Sequence, residues 1–284
     1  MAIAQIAVGP SWELLQSPNL ADAQLAQLQR DWTALDFVQS YENALEMERV
    51  AGIMTLAGER SSIPRMERLK NFYHLNDEKG FMWRYWWSYP DELRALKGKQ
   101  VLINAMRMAE TNGSFQDAVQ YQNENLDKLG ITRLLNMSKD FMSGKTDLHT
   151  MQSQSVEALG GVIRRVMRVE AAREMVITAI ALRRYQLKSG NYPPDLNTLV
   201  PEFLPAVPLD PMDGQPLRYR PKANGTFLLY SVGENGKDDG GDPSLEPGIE
   251  GTSLYWLNPH ALDWVWPQPA TAAEIEYYYA HPQK

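Results

Sequence analysis

The chain has 284 residues, 44% hydrophobic and 22% charged, with a formal net charge of −7, a balance that suits a folded chain of two ordinary domains rather than a disordered or fibrous one. Acidity argues against general affinity for nucleic acid, which depends on clustered Lys and Arg, and the absence of cysteine excludes disulfides, cysteine nucleophiles and thiolate metal sites. No apolar run reaches the ~18–20 residues that span a bilayer, and the opening MAIAQIAVGPSW lacks the basic and apolar regions of a signal peptide, so any export or anchor segment is expected to lie outside this chain.

From about Pro18 to Val169 apolar residues recur at steps of three and four, the period of amphipathic helices. Leu25, Leu28, Trp32 and Leu35 make one stripe, and Phe37, Tyr41 and Leu45 followed by Val50, Ile53 and Met54 make another. Ser62-Ile63-Pro64, Tyr89-Pro90-Asp91-Glu92 and Asn112-Gly113-Ser114 each read as a helix stop followed by a start. These signals predict a bundle of five or six helices over residues 1–152.

The longest predicted helix covers about Ser153 to Lys188, with Gly160-Gly161 as a kink or a delayed start. Leu159, Val162, Val166, Val169, Ala172, Val176 and Ile180 share one face. Arg164, Arg165, Arg168, Arg173, Arg183 and Arg184 fall mainly elsewhere and read as a solvated face or as a dock for an acidic partner. Gly190-Asn191 and Pro193-Pro194 end this helix, and Asp195 is placed to cap a short one. Leu217 to Arg220 and Thr226 to Val232 then read as a hairpin turned at Asn224-Gly225. The predicted fold class is α+β: a helical domain over 1–152, then a long helix with a small antiparallel sheet over 153–284.

The order Tyr185, Gly190, Tyr192-Pro193, Leu199-Val200-Pro201, Leu204-Pro205, Pro208-Leu209-Asp210-Pro211, Gly214-Gln215-Pro216-Leu217, Tyr219 and Leu229-Tyr230-Ser231-Val232-Gly233-Glu234-Asn235-Gly236 resembles the globular head of the major pseudopilin of the type II secretion system. Asp263-Trp264-Val265-Trp266-Pro267 is similar to the segment that closes the sheet in that family. With the preceding helix the resemblance covers about the last 110 residues. It implies a pseudopilin-like head in which the loop after the Leu-Tyr-Ser strand binds calcium and stabilises the fold. Carried over by position, the ligands are Asn235, Asp238, Asp239 and Asp242, on a loop whose glycines permit the sharp turns a hard cation needs. Asn235 stands where the family tends to have Asp, which leaves a neutral ligand. The other reading of this stretch is an acidic solvated loop without metal. The family's processing site, Glu and apolar anchor helix have no match in residues 1–20, so filament assembly does not carry over.

Phe81-Met82-Trp83-Arg84-Tyr85-Trp86-Trp87-Ser88-Tyr89-Pro90 is the densest aromatic cluster. Buried, it is a packing knot; exposed, it is a platform for stacking a sugar ring or a peptide. His74, His149, His260 and His281 stand outside metal-ligand spacing, and Glu42, Glu46, Glu48 and Glu59 read as surface charge rather than an acid–base or di-metal set. No hydrolase or phosphate-loop pattern appears. The tail with Tyr277-Tyr278-Tyr279 carries no readable function. The expectation is a non-enzymatic extracytoplasmic protein, in the periplasm or at the cell surface, acting with other envelope proteins or by self-assembly and stabilised by Ca2+. Membrane association would run only through a segment absent from this chain. The alternative is a glycan-binding protein using Trp83, Trp86 and Trp87.

Overall fold

The computed structural model describes residues 2–17, 19–72, 76–112, 114–131, 153–249 and 257–267. His74, His149, His281, and the tail with its three tyrosines lie outside the described residues. The chain is α+β, mostly helical with one small three-stranded antiparallel sheet. Contacts group it into two units, residues 36–167 and residues 1–35 together with 168–284.

The first of these units is helical among its described residues. Asp36 caps the unit's first helix, numbered in chain order as α3 (Phe37–Ser61), by accepting a hydrogen bond from the Gln39 amide at 2.7 Å. Then come α4 (Ile63–Phe72) and α5 (Asp77–Met82), the latter capped by Asn76, which accepts from the Lys79 amide at 2.9 Å. After α5 the chain widens into a π-turn, Trp83–Trp87, and continues as α6 (Ser88–Asn112). The stop expected at Tyr89-Pro90 is therefore not a break: Pro90 sits in the first turn of α6. The Ser88 amide reaches back to the Trp83 carbonyl, so the backbone ladder is already loosened just ahead of the residue that brings no N–H donor.

Helix α6 is the hub of this unit, packing against α3, α7 (Phe115–Lys128) and α8 (Ser153–Gly160). Leu45, Trp83, Leu102, Ile103, Met106, Phe115, Ile131 and Val156 are fully enclosed. A Cβ on Gly98 would come within 2.8 Å of Ile131 and 2.9 Å of Val156, so glycine there is what permits the close approach. Glu42 and Glu59 do not behave as simple surface charge. Glu42 is buried and accepts from Arg107 at 2.6 Å, and one buried oxygen of Glu59 has no partner among the described residues.

The second unit begins with α1 (Ala2–Gln16) and α2 (Asp22–Thr33). The division at residue 152 read from the sequence differs here, because residues 1–35 group with the C-terminal part. Named bonds account for it. Trp12 donates to the Pro267 carbonyl at 2.9 Å, buried Gln29 donates to the Phe203 carbonyl at 2.8 Å, and Arg184 donates to Asp22 at 2.7 Å. Helical periodicity reveals each stripe but not which neighbour covers it.

Helix α9 (Val162–Ser189) follows α8 after a break at Gly160-Gly161, and its residues from Arg168 onward group with the second unit. From Met175 to Leu182 every residue is buried, so this stretch is a core helix rather than an amphipathic one. Its arginines are not one solvated face. Arg168 pairs with Glu234 at 2.5 Å, Arg173 with Glu170 at 2.5 Å and Arg184 with Asp22, while Arg164 lies over the Phe115 ring.

Gly190 ends α9 at φ 80°, and Asp195 caps a 3-10 turn, Leu196–Leu199, by accepting from the Thr198 amide at 3.0 Å. The sheet has the order β1 (Arg218–Pro221), β2 (Phe227–Ser231), β3 (Trp264–Val265). Arg218 pairs with Tyr230 and Pro221 with Phe227, and Ser231 pairs with Trp264. Pro221 stands on an edge strand, where its missing donor costs no ladder bond. Central β2 is buried from Leu228 to Ser231, because one face meets the core and the loop that leaves the strand folds back over Leu228 and Tyr230. A Cβ on Gly241 would stand 2.8 Å from Leu228 and 3.2 Å from Tyr230.

Candidate functional site

The acidic glycine loop leaves β2 at Val232 and returns to the sheet before β3. Two carboxylates that no metal-ligand reading of the sequence had singled out, Asp210 and Asp263, are completely enclosed and organise it. Asp210 lies ahead of Pro211 and accepts hydrogen bonds from the Ser231 hydroxyl at 2.8 Å, the Val232 amide at 2.9 Å and the Met212 amide at 3.0 Å. It thereby ties the end of β2 to the turn that precedes β1. Burial raises its pKa to about 6, against the opposing pull of those three donors.

Asp263 does the same for the far end of the loop. Its carboxylate accepts from the amides of Gly241 at 2.8 Å, Asp242 at 3.2 Å and Asp239 at 3.4 Å. Burial holds its pKa above the ordinary carboxylate value, although the amide donors favour the ionised form. Successive amides converging on one carboxylate form an anion-binding concavity that the protein fills with its own side chain.

Arg218 gathers the remaining charge. It bonds Asp213 at 2.5 Å and lies 3.3 Å from Asp210 and 3.5 Å from Asp238. Hydrogen bonding to Asp213 raises its pKa further, so it stays charged. Tyr230 donates to Asp238 at 2.9 Å, and burial together with that bond pushes its pKa to about 12. Burial works against the Asp238 carboxylate, but the Gly240 amide, Tyr230 and Arg218 outweigh it and keep the carboxyl below its ordinary range.

The four sequence-predicted ligands are thus arranged unequally. Asn235 donates to Asp239 at 3.0 Å, which brings these two together, while its oxygen accepts from the Lys237 amide at 2.9 Å. Asp238 is turned to Tyr230 and Arg218. Asp242 accepts from the Ser244 amide at 2.9 Å, and the Ser244 hydroxyl and amide lower its pKa. Among the described residues no three His, Asp or Glu side chains converge as a ready metal shell. Signals for the two organising carboxylates were present: Asp210 and Asp263 each stand beside apolar residues, between Leu209 and Pro211 and between Leu262 and Trp264. A charged residue so placed is costly unless paired.

The aromatic cluster divides. Trp83 is completely buried, so it does not belong to a platform, whereas Phe81, Tyr85, Trp86 and Tyr89 are all more than half exposed. Phe81 lies 4.7 Å from Tyr85 and meets Trp86 edge-on at 6.2 Å between centroids. Arg60 covers Tyr89 at 4.0 Å. Among the described histidines, His260 stands 3.7 Å from Glu246. No described helix is long and apolar enough to cross a membrane. Comparison with protein-family models, with curated proteins and with solved structures finds no match for the chain.

Proposed function

We propose that this chain is a non-enzymatic extracytoplasmic protein whose C-terminal part is a type II secretion pseudopilin-like module, working in envelope assembly or in recognition of other envelope proteins. The observation that carries the reading is the loop itself: residues 233–242 are held at both ends by fully enclosed carboxylates, Asp210 and Asp263, so the loop is a built element of the fold. The succession of a long helix, a Pro-rich turn, a hairpin, this loop and a closing strand matches the sequence order that carried the resemblance.

Calcium belongs to the proposal as the ion taken by Asn235, Asp238, Asp239 and Asp242. Asn235 and Asp239 already adjoin, and binding requires Asp238 to exchange Tyr230 and Arg218 for the ion. A hard cation accommodates such flexible oxygen sets. The test is thermal unfolding with excess calcium and with chelator, since a ligand bound only by the native state raises stability. A saturable rise, specific for calcium over magnesium and removed by Asp238→Ala with Asp239→Ala, supports the ion; superimposable curves overturn it and leave a solvated acidic turn.

A second reading, glycan binding, moves from Trp83, Trp86 and Trp87 to the exposed face of Phe81, Tyr85, Trp86 and Tyr89. Trp86→Ala, assayed against a panel of soluble oligosaccharides, tests it: binding that survives the change removes the platform.

A further inference from the structure

Among the part-buried arginines of α9, Arg168, Arg173, Arg183 and Arg184, one is treated differently from the others. Arg168, Arg173 and Arg184 each meet a carboxylate, as does Lys188 with Glu202. Arg183 has no carboxylate partner among the described residues. It donates to the neutral side-chain oxygen of Gln186 at 2.5 Å, and only at 3.5 Å to the Ser17 carbonyl. Its Nε is buried with no acceptor among the described residues. A half-buried guanidinium left this way keeps donor capacity unused in a place where water replaces the missing bonds poorly.

Arg183 lines a cavity of about 210 Å³ within the unit formed by residues 1–35 and 168–284. Tyr192 and Gln16 supply the other large polar side chains of the wall, and Leu15, Phe227 and Trp266 supply much of the apolar part. The walls are braced. Tyr192 and Phe227 pack edge to face at 4.9 Å, and the Trp12 indole holds the carbonyl of Pro267, another lining residue, at 2.9 Å. Burial raises the Tyr192 pKa, while the charge of Arg183 and a hydrogen bond from Arg183 to the phenol oxygen pull the other way; the phenol keeps its own O–H to donate at neutral pH.

We infer that this cavity binds a small organic carboxylate with an apolar, preferably aromatic, body. The chemistry is set by what converges. A fixed guanidinium fork matches the two oxygens of a carboxylate, a phenol offers a further donor, and a few polar groups among aromatic walls are the ordinary make-up of a small-molecule site. One cation among the lining residues suits a single negative charge rather than a phosphate dianion. The same carboxylate chemistry is offered by a free acid and by the C-terminal residue of a peptide. The cavity does not use the acidic loop, so the inference is independent of calcium.

The experiment uses the full chain in the presence of chelator, titrated with 3-phenylpropionate, 3-phenylpropanamide, inorganic phosphate, and Gly-Gly-Phe with free or amidated C-terminus. Binding is read by two-dimensional 1H–15N NMR at the Trp266 indole and the Arg183 Nε–H. The expected result is saturable binding of the acids and at least about tenfold weaker binding of the amides, which lack the charge-assisted pair, and of phosphate, which lacks the apolar body. Arg183→Gln should bring the acids down to the level of the amides, and Tyr192→Phe should weaken the acids about threefold. Either order of affinity between 3-phenylpropionate and the free peptide supports the site and names the source of the carboxylate. Equal binding of acid and amide, an unchanged titration in Arg183→Gln, or no saturable shift with any probe overturns the inference. If Arg183→Gln fails to fold, the acid–amide comparison and Tyr192→Phe still decide it.

Discussion

Residues 36–167 and the unit of residues 1–35 with 168–284 treat polar groups in different ways. The helical unit builds most of its interior from apolar side chains, with Glu42, Asp91 and Lys99 among the buried exceptions, and leaves a generous apolar exterior, with Met47, Met54, Ile63, Phe81 and Trp86 all more than half exposed. Its longer-range polar ties are ion pairs between helices, such as Arg107 with Glu42 and Arg60 with Glu92. The sheet-bearing unit instead spends two fully enclosed carboxylates on backbone amides, and its loops are positioned by them. Helices satisfy their own backbone internally, so a bundle needs only packing, whereas a small sheet with long irregular connections leaves amides that some acceptor must meet.

The largest expected effect tests the packing half of that contrast. Trp83 is fully enclosed and its indole N–H has no partner among the described residues, so it acts chiefly as volume. Trp83→Ala should cost about 3–5 kcal/mol, while Trp83→Phe should stay within about 1 kcal/mol, since it removes an unsatisfied donor along with some volume. Urea unfolding followed by far-UV circular dichroism measures both, and a costly Phe substitution would show that the indole nitrogen matters after all.

Next comes the polar half, read through pH. The folded-state pKa of Asp210 is raised from 3.8 to about 6. Between those values the folded state holds a proton that the unfolded state has released. The stability that protonated Asp210 contributes is therefore complete below its unfolded pKa and lost as pH rises through about 6. The difference between 3.8 and about 6 corresponds to no more than about 3 kcal/mol. Asp263 is raised too and pushes in the same direction, while Asp238 and Asp242 are lowered and oppose it. Comparing unfolding midpoints of the native chain and Asp210→Asn from pH 4 to 7 isolates the contribution; parallel curves would mean that Asp210 is ionised throughout.

Asp263→Ala removes the acceptor of three loop amides. Part of the loop is open to water, which replaces some of the lost bonds, so a loss of about 1–3 kcal/mol is expected. Hydrogen exchange should accelerate at Asp239, Gly241 and Asp242 first. Unchanged exchange there would show that the loop is held by something other than this carboxylate.

The smallest effect belongs to the surface of the helical unit. Lys70 meets both Asp77 and Glu67, and hydrogen bonding to Lys70 lowers the Asp77 pKa. The Asp77 side chain is almost wholly in water, where an ion pair is screened and its ordering cost offsets the attraction. Asp77→Asn should leave the unfolding midpoint where it is, and a clear shift would blur the line between the two units.

Much of the local structure was legible. Ser114 and Asp195 cap the elements they precede, as do Asp36 and Asn76, whose cap roles were not read from the sequence. Gly160-Gly161 separates α8 from α9, Gly190 ends α9, and the turn at Asn224-Gly225 joins β1 to β2. These are short-range effects, decided by one residue's φ or one side-chain oxygen within four positions of its partner. Pro90 misled for the converse reason: its missing donor is a local fact, but the π-turn Trp83–Trp87 just ahead of it is marked by no local residue pattern.

The loop illustrates the same limit at the site. Its acidity and glycines were visible, yet acidity alone did not reveal that Asp238 would face Tyr230 and Arg218, or that Asp242 would be taken by Ser244. Asp263 serves amides 21 to 24 positions earlier in the chain. Such partners are chosen by the register of β2 against β3, which no local pattern encodes.

By itself, then, the sequence determined the α+β class, the caps, the hairpin and the apolar stretch that becomes the core of α9, because each follows from periodicity or from backbone chemistry within a few residues. Tertiary structure alone decided that residues 1–35 join the C-terminal unit, that Trp83 turns inward while Trp86 stays exposed, that Asp210 and Asp263 become the loop's anchors, and that Arg183 lacks the carboxylate its neighbours have. Those outcomes rest on contacts between residues far apart in the chain, where burial sets the cost of every polar group and only the assembled fold supplies or withholds its partner.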